Sequence, residues 1–199
     1  SNQNLLANSS MDYIILVAPT FQQAANRLKT FHQQKNAYKV EIVDPSKIYN
    51  EFSGGLVNPI AIRNYLKYLQ NLTKQNGQSF AKYICILGGA DFNFSRLNKN
   101  NQVPVFESAA SLDILNSYAS DDFYAILKTG ADINYPSTVD SLEMAIGRIP
   151  AKTTAEADSL INKIIQLQNM RQIESDSSIP KLTFYDRSPF CTYALALYL

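Results

Sequence analysis

The stretch DYIILVAP (12–19) is apolar after its first residue and stops at Pro19, a pattern that is typical of a buried strand. Two later stretches have the same character. YKVEIVD (38–44) is rich in valine and isoleucine, and AKYICILGGADFN (81–93) runs into a double-glycine turn. The sequence therefore predicts three strands in its first half.

Helical patterns separate these strands. NPIAIRNYLKYLQNL (58–72) has Asn58 as its N-cap and Pro59 at the first helical position. Thr20 is expected to open an earlier helix with apolar residues on one face, namely Phe21, Ala24, Ala25, Leu28 and Phe31. The order strand, helix, strand, helix, strand predicts an α/β fold with a parallel sheet and right-handed crossovers. In such sheets the loops that leave the carboxyl ends of the strands carry the chemistry.

The second half of the chain is less regular. Residues 95–115 are polar and irregular, and residues 129–141 are rich in turn formers. A capping box, in which Glu156 follows Thr153 by three residues, predicts the start of another helix. Three further strands are predicted, at SDDFYAIL (120–127), EMAIGRIP (143–150) and KLTFY (181–185).

Composition limits the classes of protein and of partner. The chain has 199 residues, of which 46% are apolar and 18% are charged, so it can build a globular core. A net charge of +1 provides no field that attracts nucleic acid or an anionic membrane, and we expect neither as a partner. The sequence contains no stretch of 18 apolar residues, so no transmembrane helix is predicted. Residues 1–11 form a polar lead-in without the basic region of a signal peptide.

Residues for nucleophilic catalysis are scarce. A cysteine–histidine dyad requires the two side chains to meet. The only histidine, His32, lies in a helical pattern, whereas Cys85 lies in a strand and is expected to be a buried, inert thiol. Cys191 has no histidine near it in the sequence. The glycine-rich stretch EFSGGLVNP (51–59) lacks the Lys-Ser/Thr pair of a phosphate-binding loop. The residues alone therefore indicate no active site.

Three carboxylates follow or precede predicted strands. Asp91 follows the double glycine, and Asp121 and Asp122 stand side by side before an apolar run. If these loops meet at one edge of the sheet, their oxygens would suit Ca²⁺, the one cofactor that the residues suggest. The alternative is that Asp91 caps a turn and that Asp121 or Asp122 accepts backbone hydrogen bonds at a strand end. We favour this alternative, because the spacing lacks the ligand density of an EF-hand loop.

Arg148 stands in a predicted strand between Ile146 and Ile149, where a guanidinium needs a partner. A carboxylate of the Asp121–Asp122 pair would satisfy both groups. We therefore expect Arg148 to have a structural role, with one aspartate turned inward to it or to backbone amides and the other turned to water.

Several stretches together resemble the gingipain-type cysteine peptidases, and most of all the sortase branch of the type IX secretion system of Bacteroidetes. The similarity runs from about residue 12 to residue 168. IYNEFSGG (48–55), SDDFYA (120–125) and IGRIP (146–150), in this order, make it specific.

This resemblance implies a caspase-like α/β fold with two parallel-sheet subdomains side by side. On that basis residues 12–142 are expected to form the first subdomain. Residues 143–199 are expected to begin the second, catalytic subdomain, which is incomplete here.

The family's activity is cleavage or transpeptidation of proteins by a cysteine–histidine dyad. In the sortase branch, the activity removes C-terminal signals from secreted proteins at the cell surface, in association with the outer membrane. The histidine of the family lies in a Gly-His-Gly segment, and its cysteine ends an apolar strand, both well after the stretch that matches IGRIP. This sequence contains no Gly-His-Gly, so no residue is assigned as catalytic. We expect protein substrates for the parent protein and no activity for this chain alone.

The last residues depart from the family. YDRSPFCTYALALYL (185–199) replaces an acidic loop, which suggests a truncation or a frameshift near Phe184. The apolar end predicts self-association. The alternative function is a non-catalytic α/β binding or scaffold module derived from the same family, which is expected to end in a polar surface instead.

Overall fold

The computed structural model of the chain describes residue 5 and residues 10–94, 97–108, 113, 117–130 and 141–174, with side chains as far as residue 170. Within these residues the chain alternates strands and helices. In order, they are β1 Tyr13–Val17, α1 Gln22–Asn36, β2 Val40–Val43, α2 Pro45–Phe52, α3 Pro59–Gln75, β3 Tyr83–Leu87, β4 Gly89–Asp91, β5 Gln102–Pro104, β6 Phe106–Glu107, β7 Ala119–Ser120, β8 Ala145–Ile149 and α4 Thr154–Glu174.

Four parallel strands form the main sheet in the order β2-β1-β3-β8. Ile15 of β1 is paired with Ile42 on one side and with Cys85 on the other. Ile14 and Ile15 point to opposite faces of the sheet and are both fully buried, so both faces of β1 are covered, which its uninterrupted apolar sequence suits. The predicted parallel α/β sheet is confirmed.

The helices begin at side chains that accept backbone hydrogen bonds. Asn58 accepts from the amide of Ile60 at 2.8 Å before α3, and Thr153 accepts from Glu156 at 3.2 Å before α4. Both starts agree with the sequence prediction. Asp44 caps α2 in the same way, by accepting from Ser46 at 2.8 Å. This short helix was not predicted, although Asp44 followed by proline is the same start signal as Asn58 followed by proline.

The first helix differs from its prediction in two respects. Thr20 lies in a 3₁₀ turn, Pro19–Phe21, and α1 begins only after it, without a capping side chain. On the inner face His32 is buried, whereas Phe31 is only half-buried. The rest of the predicted face is buried as expected, namely Phe21, Ala24, Ala25 and Leu28. Only its last position differs, because His32 packs on the ring of Tyr13 in the sheet in place of Phe31.

The predicted strand at residues 120–127 is wrong. β7 covers only Ala119–Ser120, and a 3₁₀ turn, Asp122–Tyr124, follows it. The amides of Tyr124 and Ala125 donate to the carbonyls of Asp121 and Asp122 at 2.9 Å. Because these local bonds satisfy the backbone, the apolar run from Phe123 to Leu127 is buried without joining a sheet.

β8 pairs with β3 along five residues, from Ala145 opposite Tyr83 to Ile149 opposite Leu87. The strand that we assigned to the second subdomain therefore lies in the same sheet as β1. The division of the chain at residue 143 stays a prediction. Much of the predicted 129–141 loop and all of the 181–185 strand lie outside the described residues.

Two small sheets follow the carboxyl end of β3. One pairs β4 with β5 in parallel, and the other pairs β6 with β7 antiparallel. Gly88 makes the turn from β3 into β4 with φ at +148°, and a β-carbon there would lie 3.2 Å from both Ala18 Cβ and the Asn101 carbonyl oxygen. Glycine is therefore required at this turn.

Candidate functional site

The carboxyl ends of β1, β3 and β8 lie at one edge of the main sheet, because the three strands are parallel and in register. We call this the carboxyl edge. The backbone joins the strand ends: Ala18 donates to Leu87 and Gly88 donates to Ile149, both at 3.0 Å. The small sheets extend from this edge, which is where ligands bind in open parallel sheets.

Arg148 near the end of β8 forms the main polar anchor of the carboxyl edge. Its Nε donates to Asp121 Oδ2 at 2.7 Å, and its Nη2 donates to Asp121 Oδ1 at 2.6 Å. The guanidinium also donates to four backbone carbonyls at 3.0–3.3 Å, namely those of Gly88, Gly89, Val103 and Pro104. All three guanidinium nitrogens are thus engaged, which is what a buried arginine needs.

The ion pair is largely shielded from water. The side chain of Arg148 is 9% exposed and that of Asp121 is 20% exposed. A two-pronged arginine–carboxylate pair in such a place is strongly directional, and removal of either partner leaves a charge without compensation. Sequence analysis pointed to a carboxylate of the Asp121–Asp122 pair as the partner, and Asp121 takes that position. Asp122 is exposed to solvent.

The described structure does not bring Asp91, Asp121 and Asp122 together as one group of ligands. Asp121 is occupied by Arg148, and Asp91 Oδ1 accepts from the amide of Asn93 at 2.8 Å, which closes a local turn. Among the residues that the structure describes, no three His, Cys, Asp or Glu side chains lie close enough together to hold a metal ion. The capping role that sequence analysis favoured for Asp91 agrees with its hydrogen bond.

Cys85 is a core residue. It lies in the middle of β3, is 3% exposed and pairs in register with Ile15 and Gly147. Burial raises the pKa of its thiol to about 12, so the thiol stays protonated and is a poor nucleophile at neutral pH. Cys191 lies outside the described residues.

His32 is also a core residue. Its ring stacks on Tyr13 with the centroids 4.5 Å apart, and Phe31 meets it edge-on at 5.4 Å. Burial lowers the pKa of His32 to about 4, so the imidazole is neutral at pH 7. This packing in an aromatic cluster is that of a structural histidine.

Sequence analysis missed the aromatic side chains that the carboxyl edge exposes. Phe92, Phe94 and Tyr118 are 53%, 39% and 41% exposed, and they flank β4 and β7. It also missed the carbonyl partners of Arg148. No sequence signal identifies those carbonyls, because their direction depends on how β4 and β5 pair.

A separate groove of about 470 Å³ lies between α1 and α4, and Asp91, Asp121 and Asp122 do not line it. Its lining includes Asn26, Thr30 and Ile165, and Arg27 crosses it to bind Asp158 at 2.8 Å. None of the predicted site residues lines this groove. Among the described helices, none is long and apolar enough to cross a bilayer.

The fold and this edge define an α/β protein that is built on a parallel sheet, with a partly buried arginine–aspartate anchor where the strands end. The model of peptidase family C25 matches residues 6–181. The chain therefore belongs to peptidase family C25, the gingipain family, as the resemblance of its sequence predicted.

Solved structures share this fold. A dimeric latent PorU from Porphyromonas gingivalis has a TM-score of 0.71 and 27% sequence identity, over 94% of this chain and 18% of that one. The complex of the pro- and mature domains of RgpB, also from Porphyromonas gingivalis, has a TM-score of 0.50 and 16% identity, over 77% of this chain and 28% of that one. The chain thus spans less than a third of either structure. A search of curated proteins found no match.

Proposed function

We propose that these residues form the first α/β unit of a gingipain-type cysteine peptidase that processes the C-terminal signals of secreted proteins. The observation that carries the proposal is membership of peptidase family C25 over residues 6–181. Similarity to PorU over 94% of the chain supports it. Processing of C-terminal signals rests on the finer resemblance of IYNEFSGG (48–55) and IGRIP (146–150) to the sortase branch.

The proposal includes inactivity of the 199-residue chain alone. A dyad requires an ionisable thiol beside an imidazole that can take its proton. Cys85 and His32 are both buried, with the thiol pKa raised and the imidazole pKa lowered, which is the wrong direction for each role. The sequence also has no Gly-His-Gly segment. In the parent protein we propose protein substrates and a location at the cell surface.

A second candidate is a non-catalytic binding or scaffold module of the same family. One observation favours it: the described residues hold a well-formed core and a polar anchor, while their only histidine and their only described cysteine serve packing. This candidate and the first both predict no turnover by the isolated chain, but they differ in what the whole gene product does.

A peptidase assay tests the proposal. The purified 199-residue chain is incubated with fluorogenic peptides and with a labelled protein that carries a type IX C-terminal signal, under reducing conditions with Ca²⁺. We expect no turnover from this chain and signal removal by the complete product of the gene that encodes it. A complete product that cleaves nothing would favour the non-catalytic module.

The control is alkylation of the thiols, with Cys85→Ser and Cys191→Ser variants beside it. Turnover by the 199-residue chain that alkylation abolishes would contradict its proposed inactivity. The two serine variants would then identify the cysteine that is responsible.

A further inference from the structure

We propose that Arg148 is a positioning residue of the carboxyl edge: it holds the segments around β4, β5 and β7 in the arrangement in which they contact an extended polypeptide. This inference deepens the proposed function and rests on it. Arg148 does not touch the substrate. It acts through the backbone segments to which its guanidinium is bound.

Arg148 connects the main sheet to the first of the small sheets. The β4–β5 and β6–β7 sheets are separate from the main sheet, so strand pairing does not fix them to it. Arg148 belongs to β8 of the main sheet, yet its guanidinium binds the carbonyl of Gly89 in β4 and those of Val103 and Pro104 in β5. One side chain therefore joins the main sheet to the first small sheet.

Asp121 connects Arg148 to the second small sheet. This residue pairs with Arg148 and its carbonyl accepts from Tyr124 at 2.9 Å, which fixes the 3₁₀ turn after β7. Within that turn, Phe123 stacks on Phe106 of β6 with the ring centroids 4.1 Å apart and the planes 10° apart. The position of the second small sheet thus also depends on the ion pair.

The segments bound by Arg148 and Asp121 expose the aromatic side chains of Phe92 and Tyr118. Phe92 comes directly after β4, and the Asp91 carbonyl at the end of that strand accepts from Val105 at 3.2 Å. Tyr118 comes directly before β7, and its carbonyl accepts from Ser108 at 2.9 Å. Phe92 and Tyr118 therefore each lie one position from a strand that the anchor holds. Aromatic side chains exposed on fixed backbone are suited to contact a polypeptide, and the family acts on proteins.

Arginine is needed for this role. The planar guanidinium reaches a carboxylate and several carbonyls in fixed directions, whereas a lysine ammonium has three donors on a flexible stem and cannot reproduce the set. Arg148→Lys keeps the positive charge and removes this geometry. Arg27, whose exposed pair with Asp158 has the same chemistry in another part of the molecule, supplies the matched control, Arg27→Lys.

The first measurement is hydrogen exchange on the 199-residue chain. In Arg148→Lys we expect the amides of Gly89, Val105 and Tyr124 to exchange at least about tenfold faster, since their segments open locally. The amides of Ile15 and Ile86 in the main sheet should stay within about twofold of the wild-type rates. Arg27→Lys should change neither group. Equal acceleration of both groups in Arg148→Lys, or of neither, would overturn the positioning role.

The second measurement is binding of fluorescein-labelled β-casein, an extended polypeptide, by fluorescence anisotropy. The wild-type chain and Arg27→Lys should bind with the same Kd, and Arg148→Lys should raise that Kd about fivefold or more. Asp121→Asn should have the same effect as Arg148→Lys, because it removes the charge with little change of shape.

The outcomes separate this inference from the proposed function. Wild-type chain that binds no casein, or Arg148→Lys that binds it as tightly as the wild type, overturns the inference. The proposed function is decided by the peptidase assay of the complete gene product, which needs no casein binding by this chain. Cleavage by that product together with unchanged casein binding in Arg148→Lys would leave the family function standing and remove the role of Arg148.

Discussion

Asp121 and Arg148 are 27 positions apart in the chain, and their side chains meet in a two-pronged ion pair with oxygen–nitrogen distances of 2.6 and 2.7 Å. The neighbouring Asp122 is exposed. The two adjacent carboxylates thus have opposite environments, one turned to a buried guanidinium and one to water. This explains why a doubly acidic pair stands directly before an apolar run: the pair marks the point at which the chain enters the core.

The aspartate pair leads to the first prediction. Asp121→Ala should lower the free energy of unfolding by about 3 kcal/mol or more, because it leaves Arg148 buried without its counter-charge. Asp122→Ala should change it by less than about 0.5 kcal/mol, since the side chain is solvated. Urea unfolding followed by circular dichroism measures both. Equal losses in the two variants would show that the ion pair has no special weight.

The second prediction concerns acid. Burial lowers the pKa of His32 from 6.5 to about 4, so between these values the unfolded chain binds a proton that the folded chain does not. The stability contributed by the neutral imidazole is therefore complete above about pH 6.5 and falls as the pH falls toward 4, by roughly 2–3 kcal/mol in total.

His32→Phe supplies the control for this effect, because it keeps an aromatic ring against Tyr13 and cannot take up a proton. Thermal unfolding is measured from pH 7 to pH 4 for both proteins. The wild type should lose more stability than the variant across this window. Parallel curves would mean that other groups cause the acid sensitivity.

The third prediction concerns the thiol of Cys85. Burial raises its pKa to about 12 and removes it from solvent, so it should resist modification in the folded chain. In a Cys191→Ser variant, which leaves Cys85 as the only thiol, Ellman's reagent should react slowly in buffer and rapidly in guanidinium chloride. Rapid reaction in buffer would contradict the buried position of β3.

The fourth prediction uses two glycines with positive φ. Gly88→Ala should lower stability by roughly 2 kcal/mol or more, because its β-carbon would meet Ala18 and the Asn101 carbonyl at 3.2 Å in a backbone region closed to alanine. Gly77→Ala has φ at +63° and no atom within 4 Å of the new carbon, so it should cost only about 1 kcal/mol. Chemical unfolding of the pair compares them, and equal costs would mean that the close contact at Gly88 relaxes.

The sequence by itself determined what depends on neighbours along the chain. The apolar stretch after Asp12 predicted β1, and Asn58 and Thr153 predicted the starts of α3 and α4, because capping and burial patterns act over one turn or one strand. The start of α2 at Asp44, which proline follows, has an equally local signal. The family was also readable from three short motifs, which the match over residues 6–181 confirms.

The tertiary structure decided what depends on distant segments. Residues 120–127 have the composition of a strand, but the local hydrogen bonds of the 3₁₀ turn and the packing of Phe123 on Phe106 keep residues 121–127 out of a sheet. The need of Arg148 for a carboxylate followed from its charge, and two candidates remained in the sequence. The pairing of β8 with β3 and the folding of the small sheets over the carboxyl edge decide which aspartate turns inward. They also decide which four carbonyls accept hydrogen bonds from the guanidinium. Hydrogen bonds are short and directional, and a linear pattern carries no information about the directions of groups that folding brings together from separate segments.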